Sequence, residues 1–386
     1  MSSTDNRFVP FNTPPFLGEE LQYIQDAIAR NKISGDGFYS NACHELLEQK
    51  TGTLKAFLTT SCSSALEMTS LLIDLKPEDE VIVPSFSFVT SASSFVLRGA
   101  KLVFVDIRAD TMNIDETKIE EAITPRTKAI IVVHYAGVAC EMDKITELAR
   151  KYGLAVIEDA AQAVGSTYKG KACGTIGDMG CYSFHETKNI SCGEGGALLI
   201  NNGKTVKSAE IIREKGTNRS MYFRGEVDKY TWVKLGSSYL PSDILAAYLY
   251  PQLMRLEEIT NNRMMLWNRY YYFFEPYEKK GIIRRPVVPS SCKHNAHMFY
   301  LLFPDSDSRS AFIGHLKSKG ISAVFHYVPL HSSPGGLRYG VEAPCGLGTT
   351  NKISDTLVRL PIYYNMQEDS ILHILEECRN FLDGGI

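Results

Sequence analysis

The chain has 386 residues, enough for two or three domains, and its 44% hydrophobic and 22% charged residues exclude extended disorder. Lys and Arg number 41 against 44 Asp and Glu, a formal charge of −3 that argues against a general nucleic-acid binder while allowing a local basic pocket. Met1 to Asn12 shows no apolar run behind a positive cluster, no stretch approaches the ~18 apolar residues of a membrane span, and the nine cysteines contain no C-x-x-C pair. The expectation is a cytoplasmic protein with reduced thiols, no bound metal, and no membrane or nucleic-acid partner.

Through the first two thirds, short β-branched runs alternate with helical patterns. Strands are predicted over 55–59, 80–84, 101–106, 128–134, 154–158, 180–184 and 197–201. Helices are predicted over 64–75, 87–97, 115–123 and 141–152. The run 129–133 is apolar without alternation, as in a strand covered on both faces. This rhythm predicts an α/β domain with a mostly parallel sheet over residues 1–245. A helical connection over 241–280 should lead into a smaller α+β domain over 246–386, with strands at 297–303 and 321–325 and helices at 308–319 and 369–382. The aromatic run Tyr270 to Phe274 is expected to pack where domains or subunits meet.

In an open parallel sheet, ligands bind at the carboxyl ends of the strands. The first predicted strand ends in Thr59-Thr60-Ser61-Cys62-Ser63-Ser64 and runs into a helix, whose unpaired N–H groups suit a phosphate. Neither a Walker A loop nor a G-x-G-x-x-G turn is present. The fifth strand ends at Asp159, which by itself reads first as a helix cap. Lys188 follows the apolar run 181–184 and precedes a glycine-rich turn. An acid, a lysine and a phosphate-binding helix start at neighbouring strand ends point together to pyridoxal 5′-phosphate. Its aldehyde bonds a lysine amine, and its ring nitrogen needs a carboxylate to stay protonated.

These segments resemble the DegT-type sugar aminotransferases, which are pyridoxal-phosphate enzymes of fold type I. The resemblance runs from Val9-Pro10-Phe11-Asn12, through Asp159-Ala160-Ala161-Gln162 and Ser183-Phe184-His185-Glu186-Thr187-Lys188-Asn189, to His326-Tyr327-Val328-Pro329-Leu330-His331. It implies that Lys188 bonds the cofactor, Asp159 faces the ring nitrogen and Gln162 lies near the 3-hydroxyl. It places Phe88 on the ring, and Ser61, Cys62, Ser63 and Ser183 at the phosphate. Many relatives carry Gly-x-Asn-Tyr-Arg in a run that reaches the other subunit's phosphate; here it is Gly236-Ser237-Ser238-Tyr239-Leu240, so Ser238 is the candidate there.

The resemblance further implies a homodimer with sites at the interface, L-glutamate as amino donor and a nucleotide-linked 4-keto-6-deoxyhexose as acceptor. Candidate substrate contacts are His185, Arg219, Arg224, Lys229, Tyr327 and His331, the three basic loop residues serving a neighbouring subunit's site. Cofactor motifs do not separate a 4-aminotransferase from a 3-aminotransferase or from one giving the other C4 epimer. A non-catalytic sugar-nucleotide sensor on the same scaffold is the reading from another class.

Overall fold

A computed structural model describes residues 8–384. The main sheet is built from β1 (Lys55–Thr59), β2 (Glu80–Pro84), β3 (Lys101–Val105), β4 (Thr127–Val133), β5 (Ala155–Asp159), β6 (Met179–Ser183) and β7 (Gly196–Ile200). The C-terminal part adds β8 (Phe299–Leu302), β9 (Gly340–Glu342) and β10 (Leu357–Leu360). The strand order of the eight-stranded sheet is β1-β7-β6-β5-β4-β2-β3-β9. Every strand is parallel to its neighbours except β7, which runs antiparallel to both β1 and β6.

Alternation along the strands explains why both faces are covered. On β2 and β4, Ile82, Ile130 and Val132 point into one core with Tyr182 and Phe184. Val81, Val83, Ala129 and Ile131 point into the other with Phe95 and Leu198. With apolar side chains on both faces, such strands read as continuous apolar runs, and a layer of helices must lie on each side. A separate core lies in the C-terminal part, around Trp267, Tyr270, Phe274, Phe299, Phe312 and Ile374. It is built on the two-stranded β8–β10 sheet. The fold is therefore an α/β mixed sheet with a smaller unit of helices and sheet, as the sequence predicts.

The differences have local causes. The amphipathic 115–123 segment folds as two 3₁₀ turns, Glu116–Lys118 and Glu120–Ala122, rather than a helix. Asp115 caps the first turn, its carboxylate accepting from the Thr117 amide at 3.1 Å. The helix predicted from residue 87 starts at Thr90, because 85–88 forms an irregular loop around the site. The 321–325 segment makes only isolated bridges, Val9 to Ile321 and Val324 to Arg359. The 241–280 connection is three helices, Asp243–Met254, Leu256–Phe273 and Glu275–Lys279. Of the aromatic run, Tyr270 and Phe274 are buried against Phe299 within the C-terminal core, whereas Tyr272 is exposed. Strand β9 crosses back from the C-terminal part to the edge of the main sheet, beside β3. No helix among the described residues is long and apolar enough to cross a membrane.

Two histidines in these cores set an acid limit on stability. Burial depresses His44 to about 3 and His294 to about 4. His44 is kept neutral as an acceptor, its Nε2 taking the Leu58 amide at 2.9 Å. In the unfolded chain each imidazole gains its proton near pH ~6.5, so below that pH the unfolded state binds more protons. The stability they contribute is complete above about pH 6.5 and is lost on acidification, at roughly 1.4 kcal/mol per pH unit for each. The thermal midpoint should therefore fall between pH 7 and pH 5, where most carboxylates remain charged. A midpoint that is flat over that interval would contradict the buried neutral histidines.

Candidate active site

Asp159 is the last residue of β5, and strand pairing on both sides fixes its backbone. Its neighbour Glu158 points to the opposite face and is fully buried. The Glu158 carboxylate accepts from the Gly174, Ile176 and Gly177 amides at 2.7, 2.6 and 2.6 Å, and His134 Nε2 stands 2.8 Å away. His134 Nδ1 accepts from the Cys140 amide, so Nε2 carries the proton that Glu158 takes. This satisfied polar knot anchors the strand end from behind.

On the site face, Asp159 Oδ2 accepts from Ser91 Oγ at 2.6 Å and Oδ1 from the Ala161 amide at 3.1 Å. Asp159 is buried and has no cationic partner within ion-pair distance among the described residues. Gln162 is fixed at both ends of its amide. Its Oε1 accepts from the Ala136 amide at 2.7 Å and its Nε2 donates to the Tyr327 hydroxyl at 2.7 Å.

The helix Cys62–Leu72 starts beside these residues, capped by Ser61, whose Oγ accepts from the Ser64 amide at 3.0 Å. The Cys62 and Ser63 N–H groups have no acceptor among the described residues, and both residues line the cavity. The approach of β7 requires glycine. A Cβ on Gly196 would lie 2.4 Å from the Cys62 nitrogen and the Ser61 carbonyl carbon. Lys188 sits in the turn between β6 and β7, its amide donating to the His185 carbonyl at 2.9 Å. Burial pulls the Lys188 ammonium below the usual lysine range. The Cys62 thiol and Asp159 partly oppose that shift, and Arg359 adds to it.

All of this opens into one cavity of about 810 Å³. Among the residues expected from sequence, Ser61, Cys62, Ser63, Phe88, Asp159, Gln162, Ser183, His185, Lys188 and Tyr327 line it. Phe88 is 55% exposed there. His185 sits at the rim, with Nδ1 2.9 Å from Thr187 Oγ1 and Nε2 3.7 Å from Glu194 Oε1. The set is complementary to an anionic aromatic aldehyde: free helix amides, a carboxylate without a cation, and an amine pushed toward its neutral form.

The remaining expected residues lie elsewhere. Ser238 is exposed and bridges to Glu214 away from the cavity. Arg219 pairs with Glu214 at 3.4 Å, and Arg224 is bidentate to Glu210 at 2.7 and 2.8 Å with Glu226 also at 2.7 Å. Lys229 is exposed on the same loop. These cations do not line the cavity. His331 is buried and spent on Ser85, its Nδ1 2.7 Å from Ser85 Oγ, and it does not line the cavity.

The structure adds residues the sequence reading missed. Ser91 holds Asp159. His297, His326 and Arg359 come from the C-terminal part to close the cavity. Burial, with Arg359 nearby, keeps both His297 and His326 neutral. His326 Nδ1 lies 2.7 Å from the Tyr135 hydroxyl. Ser91 had a weak signal, a hydroxyl in the serine-rich run that follows the end of β2. His326 had one as well, standing in the run His326–His331 that carries the resemblance, whereas His297 and Arg359 had none, since nothing local marks a side chain contributed from more than a hundred residues away.

The chain is similar to known proteins over nearly its whole length. It is 34% identical over 381 residues to an uncharacterized protein of Methanocaldococcus jannaschii, covering 97% of this chain and 98% of that one. It is 30% identical over 387 residues to the spore coat polysaccharide biosynthesis protein SpsC of Bacillus subtilis, covering 98% of each. Among solved structures, the aminotransferase TlmJ from Streptoalloteichus hindustanus superposes with a TM-score of 0.88 at 26% identity, over 97% of this chain and 99% of that one. A family profile matches residues 17–379, and with the strand-end acid, the buried lysine and the capped helix already in place, the chain belongs to the DegT/DnrJ/EryC1/StrS aminotransferase family.

Proposed function

We propose that the protein is a cytoplasmic, pyridoxal-phosphate-dependent transaminase that moves an amino group from L-glutamate to C4 of a nucleotide-linked 4-keto-6-deoxyhexose. The acceptor we favour is dTDP-4-keto-6-deoxy-D-glucose, giving dTDP-4-amino-4,6-dideoxy-D-galactose. One observation carries the catalytic part: Lys188, Asp159 and the open helix start at Cys62 line the same cavity. The choice of sugar is supported by the runs Val133–Asp143 and Arg213–Ser220, which resemble those of the dTDP-4-amino-4,6-dideoxygalactose transaminases of enterobacterial common antigen synthesis. The B. subtilis relative is named for polysaccharide biosynthesis, which is in keeping with a sugar substrate.

When bound, the cofactor supplies an aldehyde that carries the amino group and a ring that takes up an electron pair. The Cys62 and Ser63 amides would hold its phosphate, with Ser61 and Ser183 beside them. Phe88 would cover one face of the ring. Asp159, held by Ser91 and the Ala161 amide, would face the ring nitrogen and help keep it protonated. Lys188 Nζ would take the proton from the α-carbon of the donor, and burial, which disfavours its charged form, suits it to act as a base. In the second half-reaction Lys188 moves a proton in the reverse sense at C4 of the sugar. Gln162 is locked on the cavity wall between the Ala136 amide and the Tyr327 hydroxyl.

We place the substrate residues Arg219, Arg224, Lys229 and Ser238 at the site of a second copy in a homodimer. Their loop exposes Phe223 at 67% and Trp232 at 73%, an apolar surface of the kind that partners cover. The test of the function is direct. The enzyme is incubated with dTDP-4-keto-6-deoxyglucose and glutamate, and the product is identified by NMR. A 4-amino-4,6-dideoxygalactose product supports the reading, whereas a 3-amino sugar, the C4 epimer or an unchanged ketone overturns it.

A further inference from the structure

A second cavity, of about 440 Å³, shares no lining residue with the catalytic one. Its size falls within the roughly 300–1,000 Å³ typical of small-molecule sites. It lies on the seam between the two units of the chain. Ala109 comes from the loop after β3, and the other walls are the C-terminal segments 281–284 and 302–304 and the helix Gly348–Thr356. The seam is braced on both sides. Arg284 Nη2 donates to the Ala109 carbonyl, and the Thr349 and Thr350 amides donate to Asp106 at 3.1 and 2.8 Å. Arg284 and Leu302 exchange backbone hydrogen bonds of 2.9 and 3.0 Å.

The charged groups on these walls have one sign. Arg284 and Lys352 line the cavity, and no Asp or Glu does. Neither cation has a carboxylate within ion-pair distance among the described residues. Beyond its bond to Ala109, the Arg284 guanidinium finds no acceptor there: Nε is buried and unpaired, and Nη1 is unpaired too. The Lys352 ammonium and the Thr349 hydroxyl are likewise without partners among the described residues. The helix start itself is taken, because its amides are spent on Asp106, which also pairs with Lys118 at 3.0 Å. A cleft lined by one sign of charge concentrates the opposite sign. Ile283, Leu302, Phe303 and Ile353 supply an apolar wall beside these donors.

We infer that the seam cavity is a binding site for an organic phosphate, a phosphoryl group carried on a flat apolar body. A phosphate monoester brings nearly two negative charges and three acceptor oxygens. Two cations and a hydroxyl match that set, and a guanidinium suits phosphate oxygens. A carboxylate, with a single charge, would leave one cation unbalanced. The apolar wall takes the body of the ligand. One core lies between the two cavities, since Leu302 and Ile353 of the second pack in it with Met298 of the first. The site stands apart from the transaminase reading, because none of its residues lines the catalytic cavity.

The test uses the cofactor-loaded protein and the variants Arg284→Gln and Lys352→Gln. Phenyl phosphate, inorganic phosphate and benzoate are titrated into each by calorimetry. Phenyl phosphate should bind the wild type at one per chain. It should bind about tenfold or more tighter than inorganic phosphate, which lacks a body for the apolar wall, and tighter than benzoate, which lacks the second charge. Each substitution should weaken phenyl phosphate by about tenfold or more, the effect of losing a hydrogen bond to a charged group. Transamination measured without phenyl phosphate should be unchanged in both variants.

Absence of phenyl phosphate binding to the wild type would overturn the inference, and so would equal binding by both variants, which would place the ligand elsewhere. Benzoate binding as tightly as phenyl phosphate would overturn the phosphate assignment, and inorganic phosphate doing so would remove the apolar body. Should Arg284→Gln fail to fold for want of its bond to Ala109, Lys352→Gln decides the matter, since its exposed side chain holds nothing in place. If the protein takes up no cofactor, the transaminase reading is what fails, and the same titrations on the unloaded protein and its variants decide this site.

Discussion

Lys188→Ala should leave a folded protein whose transamination is at least about 10²–10⁴-fold slower, the range spanned by positioned acid–base groups alone. The reason lies in its surroundings. Lys188 occupies a turn held by backbone bonds, His185 carbonyl to Lys188 amide and Gly193 carbonyl to Glu186 amide, none of which involves its side chain. Removing the amine takes away a cation that burial disfavours, so the thermal midpoint should stay equal or rise. A small primary amine added to the variant should restore part of the proton-transfer rate in single-turnover measurements, because it fits the space vacated by the side chain. Lys188→Arg should not be rescued, since its guanidinium fills that space and stays protonated. Near wild-type turnover in Lys188→Ala would remove the residue from the reaction.

Asp159→Asn should produce the second largest loss, roughly 10²–10³-fold, comparable with deleting a preorganised electrostatic group from an enclosed site. Asparagine keeps the shape: its oxygen can still accept from the Ala161 amide, and its nitrogen can donate to Ser91 Oγ, which rotates to accept. The change therefore isolates charge from geometry. The acid limb of the half-reaction should also move to lower pH. Asp159 raises the Lys188 ammonium against the pull of burial, so without it the amine stays neutral further into acid. An unchanged rate or an acid limb moving to higher pH would count against the assignment.

The main sheet was legible because its strands are covered on both faces. Runs such as Ile130–Val133 and Val81–Val83 need no partner to announce themselves, and the ends of the neighbouring strands β5 and β1, Asp159 and Thr59, lead straight to the site. The reversal of β7 was not legible, since a buried strand has the same apolar pattern in either direction. The 115–123 segment has helical spacing, but a capping aspartate and the short reach to β4 leave room only for 3₁₀ turns.

Site residues divide in the same way. Those at strand ends were found, because topology gathers strand ends whatever the chain distance between them. Arg359 and His297 were missed. Each sits in a strand or strand entry whose local pattern is ordinary, and only the packing of the C-terminal unit against the sheet turns them inward. Arg219 and Arg224 show the converse, where charge in the sequence suggested a ligand and the structure supplies Glu214, Glu210 and Glu226.

The most direct measurement is to treat the cofactor-loaded protein with borohydride, digest it and map the modified peptide by mass spectrometry. A single reduced cofactor adduct on the peptide containing Lys188, absent when glutamate is added first, is the predicted result. An adduct on any other lysine, or no adduct on a protein that remains active, would contradict it.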